Sequence, residues 1–499
     1  MTNISELLAW VITFLAYLSL IGVCALRSLW RHRLFLVQGV YTLLAMSLLF
    51  AFMGDPLFIT RQHTGILLGL VLVTILFLAV RIHIGRLPSE FLRHNTLTAG
   101  AVSGGLFALL LFSIITLAPA SPTFLLIVIA TASLLTALGL SLQASWALRH
   151  YIFDVKLENK PAPHQLPTVT LAIPARNETA VLAACLDAAL QSDYQKLEIL
   201  VLDDCSHDNT SVLIKSYAHS GVRFIKGEAP SSGWLGKTNA YSQLASEASG
   251  AILFFIGVDT LLHAETISRT VRYLDGHKLD MVSILPRLSV PFGAAALLQN
   301  LRYVWQIIMP IAKRRVPVSS EAWAIRRTAL TALGGFSGVK HKIIPEGSFA
   351  RRLMATNRYH FVIASHILPM EFTKGWRSQR RTAVRLLYPT LKRQPLRAFM
   401  AVTLLALGGC SPFLIIIFAP MLSLLWVLSA VTSLLYILLY AGILWRMQAR
   451  WWWLAMWFLP FVLVQEIALI LISLALYEFS TVDWKGRNVC YPVLLHKRR

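Results

Sequence analysis

The sequence predicts an α/β domain with a mostly parallel sheet, placed between two blocks of membrane helices. Between residues 161 and 373, short apolar runs alternate with helix-like runs, which is typical of βαβ units. Several of the apolar runs end in polar or acidic clusters, and ligands of parallel sheets bind at the carboxyl ends of the strands. Long apolar segments on both sides of this region predict the two membrane blocks.

The composition excludes an ordinary soluble protein. Of the 499 residues, 56% are hydrophobic and 14% are charged, and the formal net charge is +22. A net positive charge of this size can indicate a nucleic-acid partner, but here Arg and Lys cluster at the ends of apolar segments. Membrane orientation and attraction to anionic lipid explain that placement, so we expect a lipid bilayer and no nucleic acid as partner.

Residues 1–150 predict an N-terminal block of about five transmembrane helices. Each apolar segment is near the roughly 20 residues that a helix needs to cross the hydrocarbon core. Basic residues concentrate in alternate connections and in the 148–160 exit, so the positive-inside rule predicts a cytoplasmic domain after five crossings. If one of these segments were re-entrant, the number of crossings would change, and with it the predicted side of the domain. We expect a multi-pass protein of the bacterial inner membrane. The segments cover 6–27, 35–54, 64–82, 97–119 and 122–147.

The domain over 161–373 should alternate strands with helices. Right-handed crossovers would bring the carboxyl ends of its parallel strands to one edge of the sheet. A later apolar stretch, 293–312, fits either a membrane-dipping wall of a cleft or part of the core. Strands are predicted over 168–173, 197–202, 222–225, 250–256 and 279–284, and helices over 179–190, 208–219, 235–247 and 264–275.

Polar motifs follow these strands in a definite order. The first strand ends in PARNE at 174–178, and the second ends in Asp203 and Asp204. A GWLGK segment at 233–237 precedes a helix, and a helix N-terminus with glycines and a Lys suits a diphosphate. The apolar run 250–256 is followed by Asp259.

The order IPARNE, VLDDCSHDNT, GWLGK, an acid after an apolar strand and RRTALTALGGF resembles the membrane-bound family 2 glycosyltransferases. Within them, the ceramide glucosyltransferases and the bacterial lipid and carotenoid glycosyltransferases are the most similar groups. The resemblance covers about 165–395, and TVDWKGRNVCY is similar to the W-(K/R)-G-R-x-Y ending of the same group. It implies a GT-A fold and an inverting transfer from a nucleotide sugar, UDP-linked, to a hydroxyl of a membrane lipid. The alternatives are a processive polysaccharide synthase and an inactive relative that binds lipid or a partner.

The resemblance also implies roles for single residues. Plainer explanations stay open, because Glu178 also suits the first turn of a helix and Lys237 also suits a solvated loop. The nucleotide-sugar-binding residues would be Pro174, Arg176, Glu178, Asp203, Asp204, Lys237 and Asp259.

A divalent metal is expected, although one of the two acids that usually accompany it is replaced. Family members usually have Asp-x-Asp at 257–259, and the second Asp binds Mg²⁺ or Mn²⁺, which favours oxygen ligands and stabilises a leaving diphosphate. Gly257 replaces the first Asp here, so Asp259 is the remaining candidate ligand. Compensation by Asp203 or Asp204, or by Lys237 and nearby Arg residues, is the alternative.

Glu346 is the candidate general base. An inverting transfer needs a carboxylate that accepts the proton of the acceptor hydroxyl. The family has an acidic pair between GGF and a helix reading LARR, and this register puts Glu346 on the catalytic Asp and Pro345 on its acidic neighbour. The alternative is a helix N-terminal acid stabilised by the helix dipole.

Residues 374–396 predict a basic amphipathic helix on the cytoplasmic membrane surface. The family's Q/R-x-x-R-W motif lies in this region and is only partly present. The resemblance puts Trp376, Gln379, Arg380 and Arg381 on the acceptor or phosphate side, although attraction to anionic lipid explains these arginines equally well.

Residues 397–480 predict a C-terminal block with two or three crossings, followed by a basic tail over 481–499. Three crossings would put the basic tail outside, against the positive-inside rule. One segment should therefore not cross fully. The candidates are the first, which has a Gly408-Gly409 break, and the last, which has Gln465 and Glu466 in its middle.

Overall fold

The computed structural model of the protein describes residues 122–150, 166–308, 316–480 and 482–489. The first four predicted membrane segments, within 6–119, and residues 490–499 lie outside the described residues. The fifth segment forms helix α1 (Pro122–His150). In the described part of the chain, four helices are long and apolar enough to cross a membrane: Leu126–Arg149, Pro395–Phe418, Leu424–Arg446 and Trp452–Glu478.

The first half of the α/β domain follows the alternation that the sequence predicts. Its central strands are almost entirely buried apolar runs, because both faces of the sheet are covered. The elements are β1 (Val169–Ala175), α2 (Leu182–Leu190), β2 (Leu197–Asp203), α3 (Thr210–Ser216), β3 (Val222–Lys226), α4 (Gly236–Glu247), β4 (Ile252–Ile256), β5 (Thr260–Leu262), α5 (Thr266–Gly276), β6 (Met281–Leu285) and β7 (Arg287–Leu288).

The second half completes the domain with helices from the apolar 293–312 stretch and with further strands. The described part of that stretch is broken at 298–301 and packs between the domain and the later helices. The elements are α6 (Ala294–Leu297), α7 (Arg302–Ile308), β8 (Ala322–Arg326), α8 (Arg327–Ala332), α9 (Glu346–Met354), β9 (Tyr359–Ile363) and β10 (Met370–Phe372).

The described chain after β10 is helical except for connecting loops and a short terminal hairpin. A π-helical segment (Leu404–Cys410) contains Gly408 and Gly409 and connects two helices without interrupting the helical backbone. The elements are α10 (Trp376–Thr390), α11 (Pro395–Thr403), α12 (Ser411–Phe418), α13 (Leu424–Arg446), α14 (Trp452–Ala455), α15 (Leu459–Phe479), β11 (Asp483–Trp484) and β12 (Arg487–Asn488).

The main sheet has seven strands in the order β3-β2-β1-β4-β8-β6-β9. Only β8 runs antiparallel to its neighbours. The mostly parallel α/β sheet that the sequence predicts is therefore confirmed. The register opposes Ala175 to Asp203, so the polar residues after β1 and β2 start at the same edge.

A second sheet, in the order β5-β10-β7, lies next to this edge. Pairing of β5 with β10 brings Asp259, just before β5, beside the residues that follow β10. The Thr373 amide donates to the Asp259 carbonyl over 3.0 Å. Lys374 is thereby placed next to Asp259, although 115 residues separate them in the sequence.

An aromatic core under the main sheet explains the GGF motif. Gly334 and Gly335 have φ of 80° and 59°, which a side chain would resist, and the turn they form directs Phe336 into the core. There the Phe336 and Phe349 rings lie 5.4 Å apart. Phe349 is on α9, so this contact fixes the start of α9, where Glu346 is located.

Helix α10 lies along α15. Trp376 Nε1 donates to Gln465 Oε1 over 3.0 Å, and the Tyr388 amide donates to Ser473 Oγ over 3.1 Å. Gln465 Nε2 also donates to the Leu298 carbonyl over 3.1 Å. The neighbouring Glu466 is fully buried in protein, as a carboxyl in an apolar helix requires.

Candidate active site

Two acids at the end of β2 have separate partners. Asp203 Oδ1 accepts a hydrogen bond from the Ser206 amide over 3.0 Å. The Asp204 carboxylate accepts from Arg487 Nη1 at both oxygens, over 2.7 and 2.6 Å. Burial raises the pKa of Asp204 above its ordinary value, although Arg487 acts in the opposite direction. The terminal hairpin therefore reaches one of the predicted donor-binding acids.

The PARNE segment holds the same hairpin. The buried Arg176 guanidinium donates to the carbonyls of Asp204 and Cys205, and its Nε donates to the Lys485 carbonyl over 3.0 Å. Glu178 forms an ion pair with Lys485 Nζ. Burial raises the pKa of Glu178 even though Lys485 lowers it. Pro174 lies in β1 opposite Leu202.

The GWLGK segment makes room for an arginine. A Cβ on Gly236 would lie 2.7 Å from Arg487 Nη1 and 3.5 Å from Asp204 Oδ2. Only a glycine leaves space for this ion pair against the start of α4. The sequence predicted a phosphate at this helix N-terminus, and the structure places a protein cation beside it.

Lys237 and Glu346 meet at the centre of the site. Lys237 Nζ lies 3.8 Å from Glu346 Oε1, which also accepts a hydrogen bond from Ser320 Oγ. Glu346 is fully buried, and within the described part of the chain its Oε2 has no hydrogen-bond partner. Burial by itself would lower the pKa of Lys237, but Tyr241 and Glu346 raise it above its ordinary value, so this lysine stays charged. The carboxylate therefore keeps one oxygen for a further donor.

A buried ion pair that the sequence did not reveal supports this centre. Glu321 lies 3.3 Å from Arg302 and accepts hydrogen bonds from Tyr303 and Ser319. Burial would raise the pKa of Glu321, but Arg302 and Lys374 hold it below its ordinary value. Glu321 follows Ser320 directly, so the pair fixes the segment that hydrogen-bonds Glu346.

The residues around Asp259 do not fit a metal ion held by this chain. Asp259 Oδ2 lies 3.0 Å from Lys374 Nζ, and Gly257 supplies no second carboxylate. Among the described residues, no group of three or more His, Cys, Asp or Glu side chains could hold a metal. A hard divalent cation favours several oxygen ligands, and here the one predicted ligand already pairs with a lysine.

The predicted acceptor-side residues of α10 are used mainly in packing. Trp376 bonds to α15, as described above, and the Arg380 guanidinium lies 4.5 Å from the Trp376 ring centroid. Gln379 Nε2 donates to the carbonyls of Ala295 and Lys374. Arg381 is exposed. The described contacts of these four side chains do not reach the acids of the site.

Three cations of the site had no assigned role in the sequence: Lys374, Lys485 and Arg487. Lys485 and Arg487 belong to the WKGR motif, which the sequence singled out by resemblance without indicating its place. The signal for Lys374 was weaker, since only its position between an apolar strand and Trp376 marked it. All three depend on contacts between distant segments.

Residues 170–308 match the sequence model of the family described as Glycosyl transferase family 2. This segment therefore matches a family 2 glycosyltransferase domain, which supports a glycosyltransferase as the class of enzyme. The resemblance to family 2 glycosyltransferases that the motifs indicated is confirmed over this segment, and the narrower resemblance to ceramide and carotenoid glycosyltransferases stays a prediction.

Two curated relatives are glycosyltransferases of limited similarity. AglE of Haloferax volcanii is 27% identical over 135 residues, which is 26% of this chain and 43% of that protein. A PGL/p-HBAD biosynthesis glycosyltransferase of Mycobacterium bovis is 25% identical over 249 residues, which is 46% of this chain and 91% of that protein. The chain thus spans less than half of the first relative's length and most of the second's.

A solved mannosyltransferase of Pyrobaculum calidifontis, PcManGT, in complex with GDP-Man and Mn²⁺, aligns with 69% of this chain and 99% of its own. The identity is 18% and the TM-score is 0.43. Similarity at this level carries no argument about the ligands of this chain.

Proposed function

We propose that the protein transfers a sugar, with inversion, from a nucleotide sugar, UDP-linked, to a hydroxyl of a membrane lipid at the cytoplasmic surface. One observation carries the proposal: among the described residues, one oxygen of the buried Glu346 carboxylate has no hydrogen-bond partner. The other oxygen lies near Lys237, which follows Gly236 beside Asp204 at the end of β2. A general base for a hydroxyl needs such a free, shielded acceptor.

In this reaction the lipid oxygen attacks the anomeric carbon while its proton passes to Glu346 Oε2. The bond from that carbon to the diphosphate oxygen breaks, and its electron pair leaves with the nucleoside diphosphate. Ser320 and Lys237 hold the carboxylate in place through its other oxygen. No step of this proposal needs Mg²⁺ or Mn²⁺ bound by the chain.

A lipid acceptor is supported by what surrounds the domain. The basic helix α10 packs along the apolar α15, and four helices of the described chain are apolar enough to cross a bilayer. A relative is named for the biosynthesis of PGL/p-HBAD. These features support an acceptor that reaches the donor from the membrane side.

Replacement of Glu346 by glutamine tests its role as the general base. Glu346→Gln keeps the shape and the hydrogen-bonding capacity toward Ser320 but removes the proton acceptor. We expect sugar transfer to fall by about 10²–10⁴-fold, with UDP affinity retained. The measurement is transfer of radiolabelled sugar to extracted lipid, beside a binding titration with UDP.

The matched control is Glu247→Gln, which removes an exposed carboxylate that pairs with Arg223. It should leave transfer unchanged. If the Glu346→Gln variant keeps full activity, Glu346 is not the general base. A panel of UDP-sugars tested on the wild-type chain in membranes would identify the donor, and long polysaccharide products would contradict the single-sugar lipid transfer.

A further inference from the structure

Three of the four acids assigned to the donor are each paired with a cation from the C-terminal part of the chain. Asp259 pairs with Lys374, Glu178 with Lys485, and Asp204 with Arg487. The three cationic side chains are 11%, 22% and 17% exposed, so each one is mostly covered but still reachable. Acids that already hold cations are poor first contacts for an anionic donor, whereas the cations suit it.

Gly257 leaves room for the Asp259 carboxylate. A Cβ on Gly257 would lie 2.8 Å from Asp259 Oδ1, so the absence of a side chain lets this carboxylate lie against the backbone. Its other oxygen contacts Lys374 over 3.0 Å. The place of a second metal-binding carboxylate is thus taken by the Asp259 side chain itself, and a lysine supplies the positive charge.

Lys485 and Arg487 are held by the turn of the hairpin. Lys485 and Gly486 have φ of 50° and 78°, which is the left-handed conformation of a tight turn. Arg176 donates to the Lys485 carbonyl, and Lys485 Nζ donates back to the Arg176 carbonyl over 2.6 Å. These reciprocal bonds fix both cations at the carboxyl edge of the sheet.

The cations share one electrostatic environment. In addition to the effect of burial, Lys374 and Lys485 both lower the pKa of Glu178. Asp259 raises the pKa of both Glu178 and Lys485. Gly236, which contacts Arg487, precedes Lys237, which contacts Glu346. The cations therefore lie close to the candidate base.

We propose that Lys374, Lys485 and Arg487 bind the diphosphate of the donor and serve in place of a divalent metal held by the chain. This inference rests on the proposed function for its donor. The acids Asp259, Glu178 and Asp204 position the cations and balance their charge when no donor is bound. Lysine and arginine donors form strong, charge-assisted hydrogen bonds with phosphate oxygens, and the arginine fork can contact two of them.

The test measures nucleotide binding, which is independent of transfer. The full chain in detergent, with EDTA present, is titrated with UDP and with uridine, which lacks the diphosphate. We expect UDP to bind in EDTA, with little gain on addition of Mg²⁺ or Mn²⁺. Lys374→Gln and Arg487→Gln should each weaken UDP binding by roughly 10-fold or more, the loss of one charged hydrogen bond, and leave uridine binding unchanged.

Two controls separate binding from folding. Lys374→Arg keeps the charge and should keep UDP affinity within a few-fold. Lys215→Gln removes a lysine of α3, whose ammonium contacts the Phe224 ring, and should have no effect.

The inference is overturned if UDP binds only with a divalent metal, if the wild type does not bind UDP in EDTA, or if the two Gln variants bind UDP like the wild type. Metal-dependent sugar transfer to lipid would overturn this inference and leave the proposed function in place. Metal-independent UDP binding without transfer to any lipid would support this inference and contradict the proposed function.

Discussion

Gly236 lies where a side chain would collide with the Arg487 guanidinium. Gly236→Ala adds one methyl group, and Arg487 must move away from Asp204 to accommodate it. We expect UDP affinity to fall by several-fold while the chain stays folded, because the clash involves the end of a flexible side chain. Titration with UDP in EDTA checks this prediction.

The matched control is Gly276→Ala, at the exposed end of α5, where a Cβ meets open space. It should bind UDP like the wild type. If both variants bind UDP with equal affinity, the position of the Arg487 guanidinium beside Gly236 does not contribute to UDP binding.

The sequence predicted single residues best where they follow a strand. Asp203 and Asp204 were placed correctly at the end of β2, because a run of buried apolar residues defines the strand and the polar residues define its end. Lys374 could not be predicted, since its position depends on the pairing of β5 with β10. The partner of a charged residue is a tertiary property that spacing along one segment does not contain.

At the scale of elements, the contact between α10 and α15 holds the catalytic domain to the apolar helices. Tyr388 of α10 is fully buried, and its hydroxyl donates to Glu478 of α15. Tyr388→Phe removes this donor from a buried carboxyl group. We expect a loss of about 1–3 kcal/mol in unfolding free energy, measured as a lower thermal midpoint in detergent.

Tyr217→Phe is the control for this prediction, because its hydroxyl bonds to Asp187 at an exposed position over 2.8 Å. It should change the thermal midpoint only slightly. If the two variants have the same midpoint, the Tyr388 bond does not contribute to the contact between the helices.

Periodicity was enough to predict α10, because apolar residues recur at helical spacing between the arginines. It was not enough to show what α10 packs against. The bonds from Trp376 to Gln465 and from Tyr388 to Ser473 join segments that are about 85–90 residues apart. The π-helical segment at Leu404–Cys410 was likewise read only as a break, since the glycines do not specify how the backbone continues.

At the scale of the whole molecule, both ends of the last apolar segment contact the catalytic domain. At its start the Trp451 ring lies 5.1 Å from the Phe292 ring, and beyond its end Arg487 contacts Asp204. A segment with both ends on one side does not cross the membrane. We therefore expect two crossings in the C-terminal block, by Pro395–Phe418 and Leu424–Arg446, with α15 lying along α10.

Cysteine labelling tests this topology. Single cysteines are introduced in a background without the native cysteines, at Ser231 in the domain, Met421 between α12 and α13, and Asp483 in the hairpin. In sealed vesicles, an impermeant maleimide should label Ser231→Cys and Asp483→Cys from the same side and Met421→Cys from the other. Labelling of Asp483→Cys together with Met421→Cys would mean three crossings.

The hairpin over 482–489 has a consequence for biogenesis. Its cations are translated after every helix of the described chain, yet they contact acids that were translated some 280–310 residues earlier. Until the ribosome has added them, Glu178 and Asp204 lack these partners. A nascent chain stalled before the hairpin would thus lack these ion pairs, and the candidate site is completed only after the helices of the described chain have been translated.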